Sequence, residues 1–159
     1  PGLSEDLMKA ATAAAVQVAT ELDVTGVMAA ELFEVPGSAA GFMVNEFAMR
    51  PHNSGHWTQD GSVTSQFEQH LRAVANLPLG DTSLKSDYAL MKNFLGGENQ
   101  DIFGVYPQVL GNYPAAKLHF YGKEPKPGRK IGHINMIGSN LPTMRQQATA
   151  AAHLLTHGA

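Results

Sequence analysis

The chain of 159 residues contains no cysteine, which excludes disulfide scaffolds, thiolate zinc sites and cysteine nucleophiles. Only 16% of its residues are charged, against about 25% in typical globular domains, while 43% are hydrophobic. This balance excludes a disordered tail, because such segments are rich in charge and poor in apolar residues. No apolar run approaches the roughly 20 residues of a membrane span, and the N-terminus lacks the basic stretch of a signal peptide.

Basic residues are also scarce. Lys and Arg number 11 against 14 Asp and Glu, so the net charge is −3 and the pI is about 6.2. This charge argues against a nucleic-acid binder, whose affinity comes from a basic surface. The chain begins Pro1-Gly2 without an initiator Met, which predicts a piece of a longer protein.

Helices and a hairpin are predicted in the first half of the chain. Residues 4–22 and 62–76 carry apolar side chains at spacings of three and four, and each segment predicts a helix. The second helix is expected to bury the stripe Phe67, Leu71 and Val74. Residues 24–35 and 42–50 predict two strands of a hairpin, because Pro and Gly separate them. Both strands are apolar on both faces, which predicts a sheet covered on two sides.

The second half predicts a small β domain. Gly- and Pro-rich turns separate three short candidate strands, at residues 88–95, 116–121 and 130–137. A closing helix is expected over 141–156, because Ser139 or Asn140 can cap it and a Pro stands in its first turn.

Residues 77–81, Leu-Pro-Leu-Gly-Asp, are the candidate linker between two parts. The expected organisation is therefore α+β, with one domain over residues 1–80 and a second over 81–159. The first is a mixture of helices and a hairpin, and the second is made of antiparallel strands closed by a helix.

The register of the predicted hairpin brings two glutamates together. If Val35 and Phe42 close the hairpin, Glu31 lies directly opposite Glu46 on the same face. Two like charges across a ladder are destabilising, so a shared proton, a neighbouring Arg or Lys, or a divalent cation should relieve them. Mg²⁺ favours one or two carboxylates, completed by water and phosphate oxygens. The alternative is that one glutamate lies at a strand end in solvent.

A polar loop follows the second strand. It gathers Arg50, His52, Asn53, Ser54 and His56 within seven residues. A guanidinium fork, an imidazole, an amide and a hydroxyl together can bind an oxyanion. The alternatives are a turn tied by its Asn and Ser side chains, or a two-histidine metal site that lacks a further ligand at local spacing.

A basic turn precedes the last strand. Lys123, Lys126, Arg129 and Lys130 lie in the segment KEPKPGRK and provide 4 of the 11 basic residues. Such a turn can hold a phosphate through lysine charges and an arginine fork, and the alternative is a solvated hairpin tip. The sequence suggests no partner for His119 and a structural role for His133.

The segments VMAAELF, VNEFAMRPHNSGHWTQDG and KLHFYGKEPKPGRKIGHINM resemble the C-terminal half of the 5-(carboxyamino)imidazole ribonucleotide synthetases. These are ATP-grasp enzymes of de novo purine biosynthesis, and the resemblance extends over essentially the whole chain. It implies the C-terminal part of an ATP-grasp domain, an antiparallel sheet with helices, followed by a small antiparallel β domain closed by a helix.

The resemblance also implies an activity. ATP, bicarbonate and aminoimidazole ribonucleotide give the N-carboxy product, ADP and phosphate through carboxyphosphate, with ATP and Mg²⁺ as cofactors. The full-length enzyme is expected to be a cytoplasmic homodimer with no nucleic-acid or membrane partner. The family's N-terminal domain and central lid lie outside this chain, so the isolated chain is expected to be inactive. The alternative is a non-catalytic binding or assembly module that packs against a partner domain or subunit.

Two sets of residues take metal and nucleotide roles by this resemblance. Glu31 and Glu46 resemble the two Mg²⁺ ligands, and Asn45 with Glu46 resembles the family's nucleotide-contact pair. One departure is Ala48, because the wider ATP-grasp pattern often has an Asn there as an extra ligand.

Two further sets take substrate roles by the same resemblance. The bicarbonate and carboxyphosphate pocket is expected to comprise Arg50, His52, Asn53 and Ser54. The ribonucleotide's 5′-phosphate is expected to bind Lys123 and Arg129, with Lys130 as a near neighbour.

Overall fold

The structure, a computed structural model, describes residues 3–158, which form helices and two antiparallel sheets. In chain order the elements are α1 (Glu5–Glu21), β1 (Ala29–Glu34), β2 (Phe42–Ala48), a 3₁₀ turn (Asn53–Gly55), α2 (Thr58–Gly61), α3 (Gln66–Val74), β3 (Tyr88–Leu95), α4 (Ile102–Asn112), β4 (Lys117–Phe120), β5 (Lys130–Gly138) and α5 (Leu141–His157). The predicted α+β architecture is confirmed.

The described chain divides into two compact units. The first unit runs to His56 and resumes over Gln66–Gly80, while the second comprises Trp57–Ser65 and the residues from Asp81 onward. The short helix α2 thus belongs to the second unit, although the chain on both sides of it belongs to the first. The assignment of domains to residues 1–80 and 81–159 stays a prediction.

Helix α1 and the hairpin form in the predicted segments, but β1 begins at Ala29 and not at residue 24. Ser4 caps α1, because its Oγ accepts a hydrogen bond from Leu7 N at 3.2 Å. Strands β1 and β2 pair antiparallel, but Phe42 pairs with Glu34, so the expected closing pair of Val35 and Phe42 is wrong.

The apolar residues of this unit are more exposed than the sequence predicts. The hairpin forms a sheet of two strands within residues 3–158, and Phe33 and Met43 are 54% and 59% exposed, so the expected cover on both faces is wrong. Helix α3 likewise leaves Leu71 67% exposed, so the expected buried stripe is wrong. The inner side of α3 is polar instead, because Gln66 and Gln69 hydrogen-bond to the backbone of neighbouring segments.

The second unit contains the hydrophobic core of the described residues. Its antiparallel sheet has the order β3-β5-β4, and β5 is buried from Ile131 to Met136. Helix α5 supplies Met144, Ala148 and Leu155 to this core. As predicted, Asn140 caps α5, since its Oδ1 accepts from Thr143 N at 3.1 Å.

The sequence analysis missed two helices, the short α2 within the predicted polar loop and the longer α4. Helix α4 contains Pro107 and two glycines, which are typical of turns rather than helices. Asp101 caps it by accepting a hydrogen bond from Gly104 N at 2.9 Å, and Ile102, Val105 and Val109 are buried in the core. Burial of this apolar face therefore outweighs the low helix propensity of the segment.

None of the helices found among residues 3–158 has the length and apolar character needed to cross a membrane.

Candidate metal and oxyanion site

The two predicted glutamates lie opposite each other. The register pairs Glu31 with Glu46, and it shifts between Glu31 and Leu32, which pairs with Val44. Asn45 is therefore the extra residue of a β-bulge. Partners across an antiparallel ladder point to the same face, so both carboxylates share one side of the hairpin. Bulges often lie beside active sites, where they redirect a side chain.

Glu31 is held by a donor at each of its two oxygens. Asn45 Nδ2 donates to Oε2 at 3.1 Å, and Nε2 of His52 lies 3.0 Å from Oε1. The Glu31 side chain remains 42% exposed, while that of His52 is only 12% exposed. Two fixed donors restrict the rotation of the carboxylate, and its remaining lone pairs stay available to a cation.

The hydrogen bonds of His52 define its tautomer. Nδ1 accepts from Ser54 N at 3.3 Å, and Ser54 Oγ lies 3.0 Å from the same atom. A neutral imidazole that accepts at Nδ1 carries its proton on Nε2, which is therefore the donor to Glu31. Ser54 thus contributes to the site by orienting the ring.

The sequence analysis missed Gln66, which fixes the loop that carries His52. Gln66 is 8% exposed at the start of α3. Its Oε1 accepts from His52 N at 2.9 Å, and its Nε2 donates to His52 O at 2.7 Å and lies 2.8 Å from Nδ1 of His56. The apolar stripe of Phe67, Leu71 and Val74 placed Gln66 away from the inner face, so the sequence offers no signal for this role.

These residues form a candidate cation site. One ligand atom each from Glu31, Glu46 and His52 lies within 4.8 Å of the others, and this is the one such cluster within residues 3–158. Two carboxylates suit Mg²⁺, which binds through one or two carboxylates and prefers oxygen to nitrogen. The donor set therefore fits Mg²⁺ on the two glutamates, with His52 as the hydrogen-bond donor that orients one of them. Ala48, 7% exposed and paired with Ala29, offers no further ligand.

The two-histidine alternative is not assembled in the described residues. Nδ1 of His56 is bound by Gln66, and the His56 ring stacks on Phe67 with centroids 5.4 Å apart. His52 instead faces Glu31.

Arg50 and Asn53 occupy the same loop. Arg50 is exposed, and its Nη1 donates to Pro51 O at 3.1 Å. Arg50 makes no ion pair within the described chain, so its guanidinium is available to an anion. Asn53 begins the 3₁₀ turn, and its backbone O accepts from His56 N at 3.1 Å. The oxyanion role of both residues stays a prediction.

The basic turn belongs to the second unit, between β4 and β5. Nζ of Lys123 lies over the Tyr121 ring at 5.4 Å from its centroid, whereas Lys126 pairs with Glu124 at 3.1 Å. Arg129 is exposed, and Lys130 begins β5 opposite Leu95. These positions leave the phosphate role of Lys123, Arg129 and Lys130 a prediction.

A polar cluster in the second unit was not predicted. Asp60 of α2 accepts at Oδ2 from His119 Nε2 at 2.7 Å and from Asn135 Nδ2 at 2.8 Å. The His119 ring stacks on His133 with centroids 4.5 Å apart, and Tyr121 Oη lies 2.8 Å from Nδ1 of His133. Asp60 and Asn135 are 75 residues apart in sequence, so no local pattern indicates this contact.

Two domain families match the chain. The family described as ATP-grasp domain matches residues 1–67, and the phosphoribosylaminoimidazole carboxylase C-terminal domain matches residues 89–147. The N5-carboxyaminoimidazole ribonucleotide synthase of Mycobacterium bovis is 49% identical over 161 residues, covering 99% of this chain and 37% of that protein. The synthase of Corynebacterium ammoniagenes is 47% identical over 163 residues, covering 100% of this chain and 40% of that protein.

Solved structures give the same result. The N5-carboxyaminoimidazole ribonucleotide synthetase of Thermus thermophilus matches 98% of this chain and 40% of its own, with 42% identity and a TM-score of 0.76. The Aspergillus clavatus synthase, solved with ADP and 5-aminoimidazole ribonucleotide, matches 97% of this chain and 41% of its own, with 29% identity and a TM-score of 0.77.

The chain thus spans 37% to 40% of the length of the curated relatives it matches. The resemblance that the sequence motifs indicate is confirmed by both kinds of match, and so is the expectation of an ATP-grasp part followed by a C-terminal domain. The chain belongs to the N5-carboxyaminoimidazole ribonucleotide synthase family, and it comprises a part that matches the ATP-grasp domain followed by a part that matches the C-terminal domain.

Proposed function

We propose that the chain is the metal- and oxyanion-binding portion of an ATP-dependent carboxylating ligase that acts on aminoimidazole ribonucleotide with bicarbonate. One observation carries the proposal: two carboxylates face each other on a bulged hairpin, and His52 and Asn45 donate to one of them. Such a pair is unfavourable by itself and becomes favourable when a cation and its phosphate ligands bind.

Glu31 and Glu46 would hold the metal ion. When bound there, Mg²⁺ supplies positive charge that offsets the charge of the ATP phosphates. His52 keeps one oxygen of Glu31 at 3.0 Å, and Asn45 keeps the other at 3.1 Å, so the carboxylate is oriented before any ligand arrives. Such preorganisation reduces the cost of binding.

The loop after β2 would bind bicarbonate and carboxyphosphate. Arg50 has no carboxylate partner among the described residues, and a guanidinium fork suits a planar oxyanion. Asn53 and Ser54 follow His52 in the 3₁₀ turn. The Asn53 amide would supply a neutral donor, and Ser54, whose Oγ lies 3.0 Å from Nδ1 of His52, would orient the ring beside the oxyanion. Fixed donors of this kind stabilise charge that develops on an oxyanion.

Lys123 and Arg129, with Lys130 beside them, would bind the 5′-phosphate of the ribonucleotide. Both Lys123 and Arg129 are exposed, and neither forms an ion pair in the described chain, whereas Lys126 is paired with Glu124. The cytoplasmic location and the homodimer of the full-length protein stay predictions.

The test uses the full-length protein that contains this chain. Glu46→Gln should lower bicarbonate-dependent ATP hydrolysis by more than about 100-fold, beyond the range found for partners that only orient a ligand. Glu34→Gln is the matched control, because Glu34 is an exposed glutamate at the far end of the same hairpin. Glu46→Gln with full activity would contradict the proposal.

A packing module is the second candidate, and the exposed hairpin favours it. Phe33, Met43 and Val44 are 54%, 59% and 43% exposed on this short sheet. Apolar exposure of this kind is typical of a surface that contacts another domain or subunit. Sedimentation that shows concentration-dependent dimerisation, together with no nucleotide binding, would favour this role.

A further inference from the structure

We infer that Gln66 is a positioning residue of the metal site, acting on Glu31 through His52. The inference rests on the proposed function, because it assigns a role within that same site. Gln66 is 8% exposed, and its amide contacts both backbone groups of His52, the N–H at 2.9 Å and the carbonyl at 2.7 Å.

The two contacts fix the position of the His52 backbone, from which the imidazole ring extends. A side-chain amide that accepts from one N–H and donates to the carbonyl of the same residue restrains that residue in the way a strand partner does. The ring is then held at Nδ1 by Ser54, and its Nε2 faces Glu31 at 3.0 Å. Gln66 is thus linked to Glu31 through the backbone and the ring of His52.

The third contact of Gln66 extends the restraint to the end of the loop. Nε2 of Gln66 also lies 2.8 Å from Nδ1 of His56. Gly55 lies between His52 and His56 in the loop, and a Cβ atom there would overlap Oε1 of Gln66. The lack of a side chain at Gly55 therefore gives the amide of Gln66 the space it needs.

Helix α3 contains a matched control. Gln69 makes the same reciprocal pair with one residue, because its Oε1 accepts from Gly80 N at 2.9 Å and its Nε2 donates to Gly80 O at 2.7 Å. These bonds hold the segment after α3 and do not involve Glu31, Glu46 or His52. Loss of Gln69 therefore reports the structural effect of losing such a reciprocal pair away from the metal site.

The experiment compares Gln66→Met with Gln69→Met in the full-length protein. Methionine keeps the length of the side chain and removes its hydrogen bonds. The melting temperature should fall in both variants, and further in Gln66→Met, because Gln66 is buried and also contacts His56. Mn²⁺ affinity in the presence of ATP, measured by electron paramagnetic resonance, should fall about 10-fold or more in Gln66→Met and less than about 2-fold in Gln69→Met.

A second variant keeps the test informative if Gln66→Met does not fold. Gln66→Glu retains the acceptor for His52 N and loses the two donations, so it should also weaken Mn²⁺ affinity beyond the Gln69→Met control. Equal Mn²⁺ affinity in the Gln66 and Gln69 variants would overturn the inference. Glu46→Gln separates this outcome from failure of the proposed function, because loss of Mn²⁺ binding in Glu46→Gln supports the metal site whatever Gln66 does.

Discussion

Glu31 faces Glu46 because a bulge at Asn45 shifts the register in the middle of the hairpin. Near the turn, Phe33 pairs with Met43, and that register alone would place Asn45 opposite Glu31 and turn Glu46 to the other face. The one extra residue thus brings the second carboxylate to the first and leaves the Asn45 amide 3.1 Å from Glu31.

Removing one charge of this pair should stabilise the metal-free protein. Glu46→Gln ends the repulsion with Glu31, and the gain should be small, about 0.5 kcal/mol or less, because the Glu31 side chain is 42% exposed. Thermal melting in EDTA measures it. In the full-length protein, added Mg²⁺ with ATP should raise the melting temperature of the wild type and leave that of Glu46→Gln unchanged. A lower melting temperature of the variant in EDTA would show that the pair is not strained.

Substitution at Gly55 should act through Gln66. Gly55→Ala places a Cβ atom on the buried amide of Gln66, and overpacking of this kind costs about 1–3 kcal/mol. Urea denaturation measures the loss. Gly111→Ala is the control, since a Cβ there meets nothing within 4 Å and alanine favours the helix, so this variant should be neutral or stabilised. Equal stability of the two variants would contradict the described packing.

Asp60 should be important for the stability of the second unit. Asp60→Ala removes the acceptor of both His119 and Asn135, so it should cost about 2–3 kcal/mol in urea denaturation. Asp60→Asn keeps one acceptor and should lie between. Asp87→Ala, at an exposed site, should change stability by less than about 0.5 kcal/mol. Asp60→Ala with the stability of Asp87→Ala would exclude this role.

Alanine substitutions in the basic turn should affect substrate binding differently at different cations. In the full-length protein, Lys123→Ala or Arg129→Ala should raise the KM for aminoimidazole ribonucleotide about 10-fold or more, equivalent to about 1.4 kcal/mol, with little change in kcat. Lys126→Ala should change it less than about 2-fold, because Lys126 already pairs with Glu124. Similar effects of all three changes would indicate a general charge effect instead of a phosphate site.

Local patterns predicted the elements of the fold well. Strand β3 has the predicted bounds of Tyr88 and Leu95, and Asn140 caps the closing helix as expected. Period-2 alternation, turn residues and caps are properties of neighbouring residues, so a single sequence displays them. The opposed glutamates were also predicted, although the closing pair of the hairpin was displaced by one residue and the bulge restored the match.

Contacts between distant residues were not predictable in this way. Helix α3 presents Gln66 inward and Leu71 outward, against its apolar pattern, because the backbone of the loop at His52 needs hydrogen-bond partners. Asp60 and His119 are 59 residues apart, and each by itself is typical of a solvated polar residue. Tertiary hydrogen bonds override propensity at these positions, and those of Gln66 hold His52 of the candidate site.

Residues Trp57–Ser65 belong to the second unit, although the segments on both sides of them belong to the first. No single cleavage can therefore divide the chain into two complete units. Cleavage between Gly80 and Asp81 looks natural from the sequence, but it would separate Asp60 from His119 and Asn135. Neither half would then keep all its internal contacts, so limited proteolysis at that bond should yield products that stay associated or unfold. Exchange of one half between homologues would succeed only if the nine-residue insert and its hydrogen-bond partners in the second unit were exchanged together.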